Sequence, residues 1–136
     1  MKTLLSVFIF LFVSIASVHG ADTDKKAQLM MEMKTMLDAM EEIQSGGLYS
    51  CGDCMKSGVK KLQKALVVLE SEDVKQILPQ GQEYAYKFAQ KTAKMLKLYS
   101  DDLVTSIDAN RMDDALEDYT QLLKQCTSCH IRIRNW

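Results

Sequence analysis

After residue 20, the chain contains almost nothing that would break a helix. Between Ala21 and Trp136 there is one proline, Pro79, and only a few glycines. Apolar residues recur at intervals of three and four, and no segment alternates between apolar and polar residues over a sustained length. Intervals of three and four place side chains on one face of an α-helix, whereas alternation would indicate a strand. The pattern predicts an all-α domain.

Four amphipathic segments follow one another along this part of the chain. The first covers residues 24–45 and is expected to stop at Gly46-Gly47, because glycine commonly follows a helix end. The second covers about residues 53–70, and the third opens at Pro79 and ends near residue 107. The fourth begins after Asn110, which is a favourable N-cap residue. Four helices of similar length with short connections predict an antiparallel four-helix bundle.

The first 20 residues, MKTLLSVFIFLFVSIASVHG, have the composition of a secretory signal peptide. Lys2 precedes an uncharged apolar run, and small residues close the segment. The run is shorter than the roughly 20 apolar residues that a membrane-spanning helix needs. We therefore expect cleavage after Gly20, a single mature domain of residues 21–136 in the periplasm, and no membrane span in the mature chain.

The charge and histidine content exclude several classes of function. The full chain has 17 basic and 18 acidic residues. Cleavage of the signal peptide removes one basic residue, Lys2, so the mature chain carries a mild net negative charge. Nucleic-acid binding calls for a basic surface, so no nucleic acid is expected as a partner. Of the 2 histidines, His19 lies in the signal peptide, which leaves His130 alone in the mature chain. No bis-histidine haem and no histidine-based catalytic set can form, so we expect no enzyme activity.

The most informative motif is QCTSCHIRIRNW at the end of the chain, which contains Cys126, Cys129 and His130. Spacings of three and four put these side chains on one helix face, which continues the apolar stripe of Leu116 and Leu123 and is expected to point at the core. C-x-x-C-H is the attachment signature of c-type haem: each thiol adds to one vinyl group of the porphyrin, and the histidine binds the iron. The sequence therefore predicts one covalently attached haem c.

Three other interpretations of the cysteines remain open. Cys126 and Cys129 could form a disulfide, could share a zinc site with Cys51 and Cys54, or could be two ordinary core thiols. The zinc site is the weakest of these, because the two pairs are much further apart in the chain than the ligands of a zinc ribbon.

The final helix, NRMDDALEDYTQLLKQCTSCHIRIR, resembles that of the class II c-type cytochromes, the cytochrome c prime group, in which a four-helix bundle carries its haem motif near the C-terminus. The matching residues are Ala115, Tyr119, Leu122, Cys126, Cys129, His130 and Arg134. Ile133 departs from the pattern, since the family usually has an aromatic residue there. The resemblance implies electron transfer with redox partner proteins. Members of the family often pair, so a homodimer is an alternative that the sequence leaves open.

The resemblance also implies that the first helix covers the other face of the iron. This helix is rich in methionine: Met30, Met31, Met33, Met36 and Met40. In the family, the residue facing the iron lies about four and a half turns before the glycine that closes this helix, which points to Met30, with Met33 as the fallback on the same face. Ligation by His130 and Met30 describes a six-coordinate electron carrier. The alternative is a five-coordinate iron that binds NO or CO, with the methionines filling the core. Binding of Cu(I) by the cluster is a weaker alternative.

Basic side chains near the motif are candidate partners for the haem propionates. Arg134 and Lys26 are assigned this role, whereas Arg132 is expected to belong to an ordinary solvated helix end.

The second cysteine pair, in LYSCGDCMKSG, is not followed by a histidine. In an oxidising compartment, Cys51 and Cys54 are expected to form a local disulfide. The alternative is a redox-active dithiol, because a helix N-terminus favours the thiolate and C-x-x-C pairs exchange readily.

Overall fold

The computed structural model describes residues 18–78 and 83–134. Within these ranges the chain forms five α-helices and no strand: α1 Val18–Leu48, α2 Gly52–Glu70, α3 Val74–Ile77, α4 Glu83–Asp108 and α5 Met112–Arg134. The predicted all-α class is confirmed. The predicted signal peptide, except for its last residues, and Pro79 lie outside the described ranges.

The four long helices pack as successive antiparallel neighbours. Short turns at residues 49–51 and 109–111 join α1 to α2 and α4 to α5, and each pair packs along its length. The α2 helix packs against α4, where Lys56 Nζ donates to Asp108 at 3.0 Å. By contrast, α1 makes only a few contacts with α5. The packing therefore leaves an opening between the first and last helices.

Each long helix contributes one large apolar side chain to the centre of the core. Ile43, Leu62, Leu103 and Leu122 are all fully buried. Burial of one such side chain stabilises a fold by about 1.5–3 kcal/mol. Within the described ranges, none of the helices combines the length and apolar character needed to cross a membrane.

The end of α1 differs from the sequence prediction. The helix does not stop at Gly46-Gly47 but continues to Leu48. Ser50, two residues beyond the helix end, has a left-handed φ of 55°, and the N–H of Cys51 donates to the Gly46 carbonyl at 2.8 Å. A Cβ on Gly46 would lie 2.8 Å from Met55, so glycine is needed here for the close approach of α2 rather than as a helix stop.

Asn110 also has a different role from the predicted N-cap of α5. Its φ is 55°, and its N–H donates to the Ile107 carbonyl at 2.9 Å, while the Arg111 N–H donates to the Ser106 carbonyl at 2.9 Å. These two bonds form the Schellman arrangement that ends a helix. Asn110 therefore closes α4, and α5 begins at Met112, the second residue after it.

The connection from α2 to α4 contains the short helix α3, which the sequence analysis did not predict. Val74 is fully buried, and Lys25 of α1 pairs with Asp73 at 2.7 Å and donates to Gln76 at 2.9 Å. These contacts hold the connection against the N-terminal half of α1. They thereby place Ile77 and Leu78 beside the opening between α1 and α5.

Candidate functional site

The C-x-x-C-H motif lies on the last turns of α5, at the opening between α5 and α1. Cys126, Cys129 and His130 are each half-buried. Cys126 packs against the main core, whereas Cys129 packs against a second apolar cluster that includes Ala89 and Ile133. One turn of α5 therefore presents its two thiols to two different parts of the interior.

Two adjoining cavities meet at this turn. The large cavity has a volume of about 540 Å³ and is lined by Lys26, Leu29, Met30, Met33, Leu69, Ile77, Leu78, Ala89, Cys129, His130 and Ile133. The small cavity has a volume of about 140 Å³ and is lined by Met33, Met36, Leu37, Met40, Leu69, Thr92, Leu96, Leu123, Cys126, Cys129 and His130. Four residues, Met33, Leu69, Cys129 and His130, line both cavities. The thiols and the imidazole thus face a mainly apolar slot along α1.

The methionines of α1 differ in their relation to this slot. Met30 lines the large cavity and is 66% exposed, while Met33 is half-buried and lines both cavities. Met36 and Met40 are buried and line the small cavity. Met31 is 71% exposed, on the outer side of the helix. The structure therefore brings both sequence-predicted methionines, Met30 and Met33, to the same cavity as His130.

Burial keeps both thiols of the motif in their neutral form. It raises the pKa of Cys126 from 9.0 to about 11, with repulsion from Cys129 adding to the effect. Burial also raises the pKa of Cys129, and a hydrogen bond from the Thr92 hydroxyl acts in the opposite direction. Burial therefore disfavours the thiolate form of both side chains in the chain as it stands.

The basic residues near the motif lie in different surroundings. Lys26 is exposed at the rim of the large cavity. The backbone of Arg134 ends α5, and its side chain lies outside the described residues. Arg132 places its guanidinium 4.8 Å from the centre of the Phe88 ring, which is a cation–π contact at the surface.

The second cysteine pair lies far from the slot. Cys51 and Cys54 are joined by a disulfide at the start of α2. On α1, about 20 Å of helix separates Gly46, beside Cys51, from Met33, which shares both cavities with His130, and about 9 Å separates Gly46 from Met40 at the near end of the small cavity. The four cysteines do not come together, and the described residues contain no group of three or more His, Cys, Asp or Glu side chains placed to hold a metal ion.

Sequence reasoning did not identify several residues that shape the slot. Leu69 lines both cavities from α2, and Thr92 lines the small cavity from α4. Both belong to apolar stripes that predict burial but do not indicate a cavity. Ile77 and Leu78 form an apolar pair in the connection between α2 and α4, for which the sequence analysis made no prediction, and this pair was the available signal.

Comparison with known proteins finds no matching family model, no matching curated protein and no matching solved structure. Function therefore has to be inferred from the residues of the two cavities.

Proposed function

We propose that this chain is a periplasmic electron-transfer protein, a c-type cytochrome with a single haem c. In this proposal, Cys126 and Cys129 attach the haem and His130 is one axial ligand of the iron. Met30 is the second axial ligand, with Met33 as the fallback. The four long helices form an antiparallel four-helix bundle whose last helix carries the attachment motif. The order of neighbours along the chain supports this architecture, because each long helix packs antiparallel to the next.

The observation that carries the proposal is the pair of adjoining cavities at the C-x-x-C-H turn. The large cavity alone, at about 540 Å³, is within the range of about 300–1,000 Å³ that is typical of cofactor sites. It opens where α1 and α5 make few contacts, and its walls are mostly apolar. We propose that this space holds a flat, largely apolar ring that is tethered to α5 and covered by α1.

The side chains that line the slot have different roles in this proposal. Cys126 and Cys129 would hold the ring covalently, each through a thioether to one vinyl group. His130 and a methionine of α1 would supply the protein ligands of the iron. Leu69 and Leu78 keep water away, and both an apolar environment and a methionine ligand raise the reduction potential. The bound haem supplies an iron that cycles between the ferric and ferrous states.

An iron held by the porphyrin needs only one or two ligands from the protein. One histidine with a methionine opposite meets this requirement without a cluster of three metal-binding side chains. Lys26 at the cavity rim and Arg134 at the end of α5 are the proposed partners of the propionates.

Met33 has a specific structural argument in its favour as the fallback ligand. It is half-buried and shares both cavities with His130, whereas Met30 is 66% exposed and lines only the large cavity. The resemblance to the class II cytochromes favours Met30. Met30 and Met33 are three residues apart, which is close to one helical turn. Both side chains therefore belong to the face of α1 that covers the haem in this proposal.

The second candidate function is gas binding by a five-coordinate haem. The exposure of Met30 favours it, because the large cavity then keeps free space beside His130 for NO or CO. In this case α1 covers the iron without supplying a ligand to it.

Visible absorption spectroscopy tests the proposal directly. The full chain is produced in a host that exports it and attaches haem, and spectra of the oxidised and reduced forms are recorded with and without CO. Electron transfer with two axial ligands predicts low-spin bands that CO leaves unchanged. High-spin bands that shift with CO would support gas binding, and a colourless protein would contradict both candidates. The mass of the purified chain shows whether the haem is covalent and whether cleavage occurs after Gly20.

A further inference from the structure

The Cys51–Cys54 disulfide is accessible from solvent at the junction of α1 and α2. Cys54 is exposed and Cys51 is half-buried. The preceding Leu48 and Tyr49 are 77% and 81% exposed, so two large apolar side chains lie at the surface beside the disulfide. A protein partner can therefore reach the disulfide and contact an apolar surface next to it.

The disulfide does little to hold the fold together. It links two residues that are three apart and joins no separate elements. The same turn is already fixed by the main chain, since the Cys51 N–H donates to the Gly46 carbonyl at 2.8 Å and the Met55 N–H donates to the Cys51 carbonyl at 3.1 Å. Closing so short a loop restricts the unfolded chain least. The helices should therefore persist when the disulfide is reduced, which a reversible exchange reaction requires.

The two sulfurs have unequal surroundings. Cys51 is the N-cap of α2, and its Sγ accepts a hydrogen bond from the Cys54 backbone N–H at 3.2 Å. The positive end of the helix dipole also favours negative charge at this position. The intervening acid, Asp53, is paired with Lys56 at 3.2 Å, and because Lys56 also pairs with Asp108 at 3.0 Å, the charge of Asp53 is only partly offset. Cys51 is thus the better leaving group, and Cys54 is the more accessible sulfur.

We propose that Cys51 and Cys54 form a thiol–disulfide exchange site that accepts electrons from a protein dithiol. A thiolate of the partner attacks Sγ of Cys54, and the Cys51–Cys54 bond breaks with its electron pair moving to Cys51. The resulting Cys51 thiolate takes up a proton. The partner's second thiolate then attacks the partner sulfur of the mixed disulfide and releases Cys54, which also takes up a proton. The partner loses two electrons and two protons and becomes a disulfide, while Cys51 and Cys54 become thiols.

Equilibration of the full chain with graded mixtures of reduced and oxidised glutathione tests this site. The mixtures are quenched with acid, free thiols are alkylated, and the tryptic peptide that contains Cys51 and Cys54 is quantified by mass spectrometry. We expect reversible conversion between disulfide and dithiol, with the helical circular dichroism unchanged. A disulfide that stays intact in reduced glutathione alone, or helices that unfold on its reduction, would overturn the proposal. Cys126 and Cys129 lie on another peptide, so the result is independent of haem attachment.

Single-cysteine variants test the predicted inequality of the two sulfurs. Cys54→Ser leaves Cys51 at the helix N-cap with the N–H of residue 54 in place, and Cys51→Ser leaves Cys54 alone. Near neutral pH, iodoacetamide should alkylate Cys51 in the first variant about tenfold faster than Cys54 in the second, because more of Cys51 is thiolate. Equal rates, or faster reaction of the more exposed Cys54, would contradict the assigned order of attack.

Discussion

Gly58 of α2 lies directly against Ile43 of α1, at a distance that only glycine permits. A Cβ at position 58 would lie 2.7 Å from the Ile43 side chain, 2.9 Å from the carbonyl oxygen of Ala39 and 3.0 Å from the Ile43 backbone nitrogen. Two of these three neighbours are backbone atoms and cannot move aside by a change of rotamer. The separation of α1 and α2 is therefore set by the absence of a side chain at Gly58.

Gly58→Ala should destabilise the protein, although alanine is the better helix former. The gain in helix propensity is up to about 1 kcal/mol, whereas overpacking costs about 1–3 kcal/mol when the backbone must shift. Gly47→Ala is the matched control, because a Cβ there meets only the end of the Met55 side chain at 3.7 Å. Urea unfolding followed by circular dichroism should show a loss of stability for the first variant and no loss for the second. A stabilised Gly58→Ala protein would contradict the observed helix contact.

The ion pair between Glu42 of α1 and Lys61 of α2 should contribute to stability in a pH-dependent way. The Lys61 ammonium donates to Glu42 Oε2 at 2.6 Å and lowers the pKa of that carboxyl below its ordinary 4.5. The ionised carboxylate therefore stabilises the folded state fully above 4.5, and this contribution is lost as the pH falls through the lower folded value. For a pair at the surface we expect less than about 1 kcal/mol.

Comparison of Glu42→Gln with the wild type checks this dependence. The difference in free energy of unfolding should be largest near neutral pH and should shrink well below pH 4.5. Glu41→Gln, at the exposed neighbouring position, is the control for the change in net charge. A difference that stays constant across this range would show that Glu42 does not act through its charge.

The sequence predicted where the long helices lie, but it did not predict which residues of each helix are buried by its neighbours. On α5, the expected stripe included Leu116 and Leu123, yet these residues are 63% and 46% exposed, whereas Ala115 and Leu122 are fully buried. A broad apolar stripe does not specify which of its edges a neighbouring helix covers. That depends on the distance between α1 and α5, which is set by contacts elsewhere in the fold.

The position of the C-x-x-C-H motif on one face of the last helix was predictable from the sequence, whereas the shape of the adjoining cavities was not. The spacing of Cys126, Cys129 and His130 alone indicates what they could attach, because a short motif on a helix fixes their common face. The walls of the slot come from distant parts of the chain, such as Leu69 and Leu78. Their role depends on tertiary packing, and a single sequence carries no direct signal for it.

Substitution of the motif cysteines should separate the two cysteine pairs by function. Cys126→Ser or Cys129→Ser leaves one thioether and should retain part of the covalent haem, whereas the double variant should lose nearly all of it. The control is the double variant of Cys51 and Cys54 to serine, which should keep its full haem content, because this pair lies at the other end of α1. Extraction with acidified acetone followed by mass spectrometry of the chain measures covalent haem. Loss of haem from this control would contradict attachment through Cys126 and Cys129 alone.

Substitution of the α1 methionines tests which of them, if any, is the proposed iron ligand opposite His130. Met30→Ala should convert low-spin bands to high-spin bands, allow CO to bind and lower the reduction potential, because the thioether ligand is removed. Met31→Ala is the control, since this neighbouring side chain is 71% exposed on the outer side of the helix and should leave the spectrum unchanged. Conversion by Met33→Ala instead would move the ligand to the methionine that lines both cavities. If the wild-type spectrum already shifts with CO and neither variant alters it, α1 supplies no ligand and the gas-binding alternative is supported.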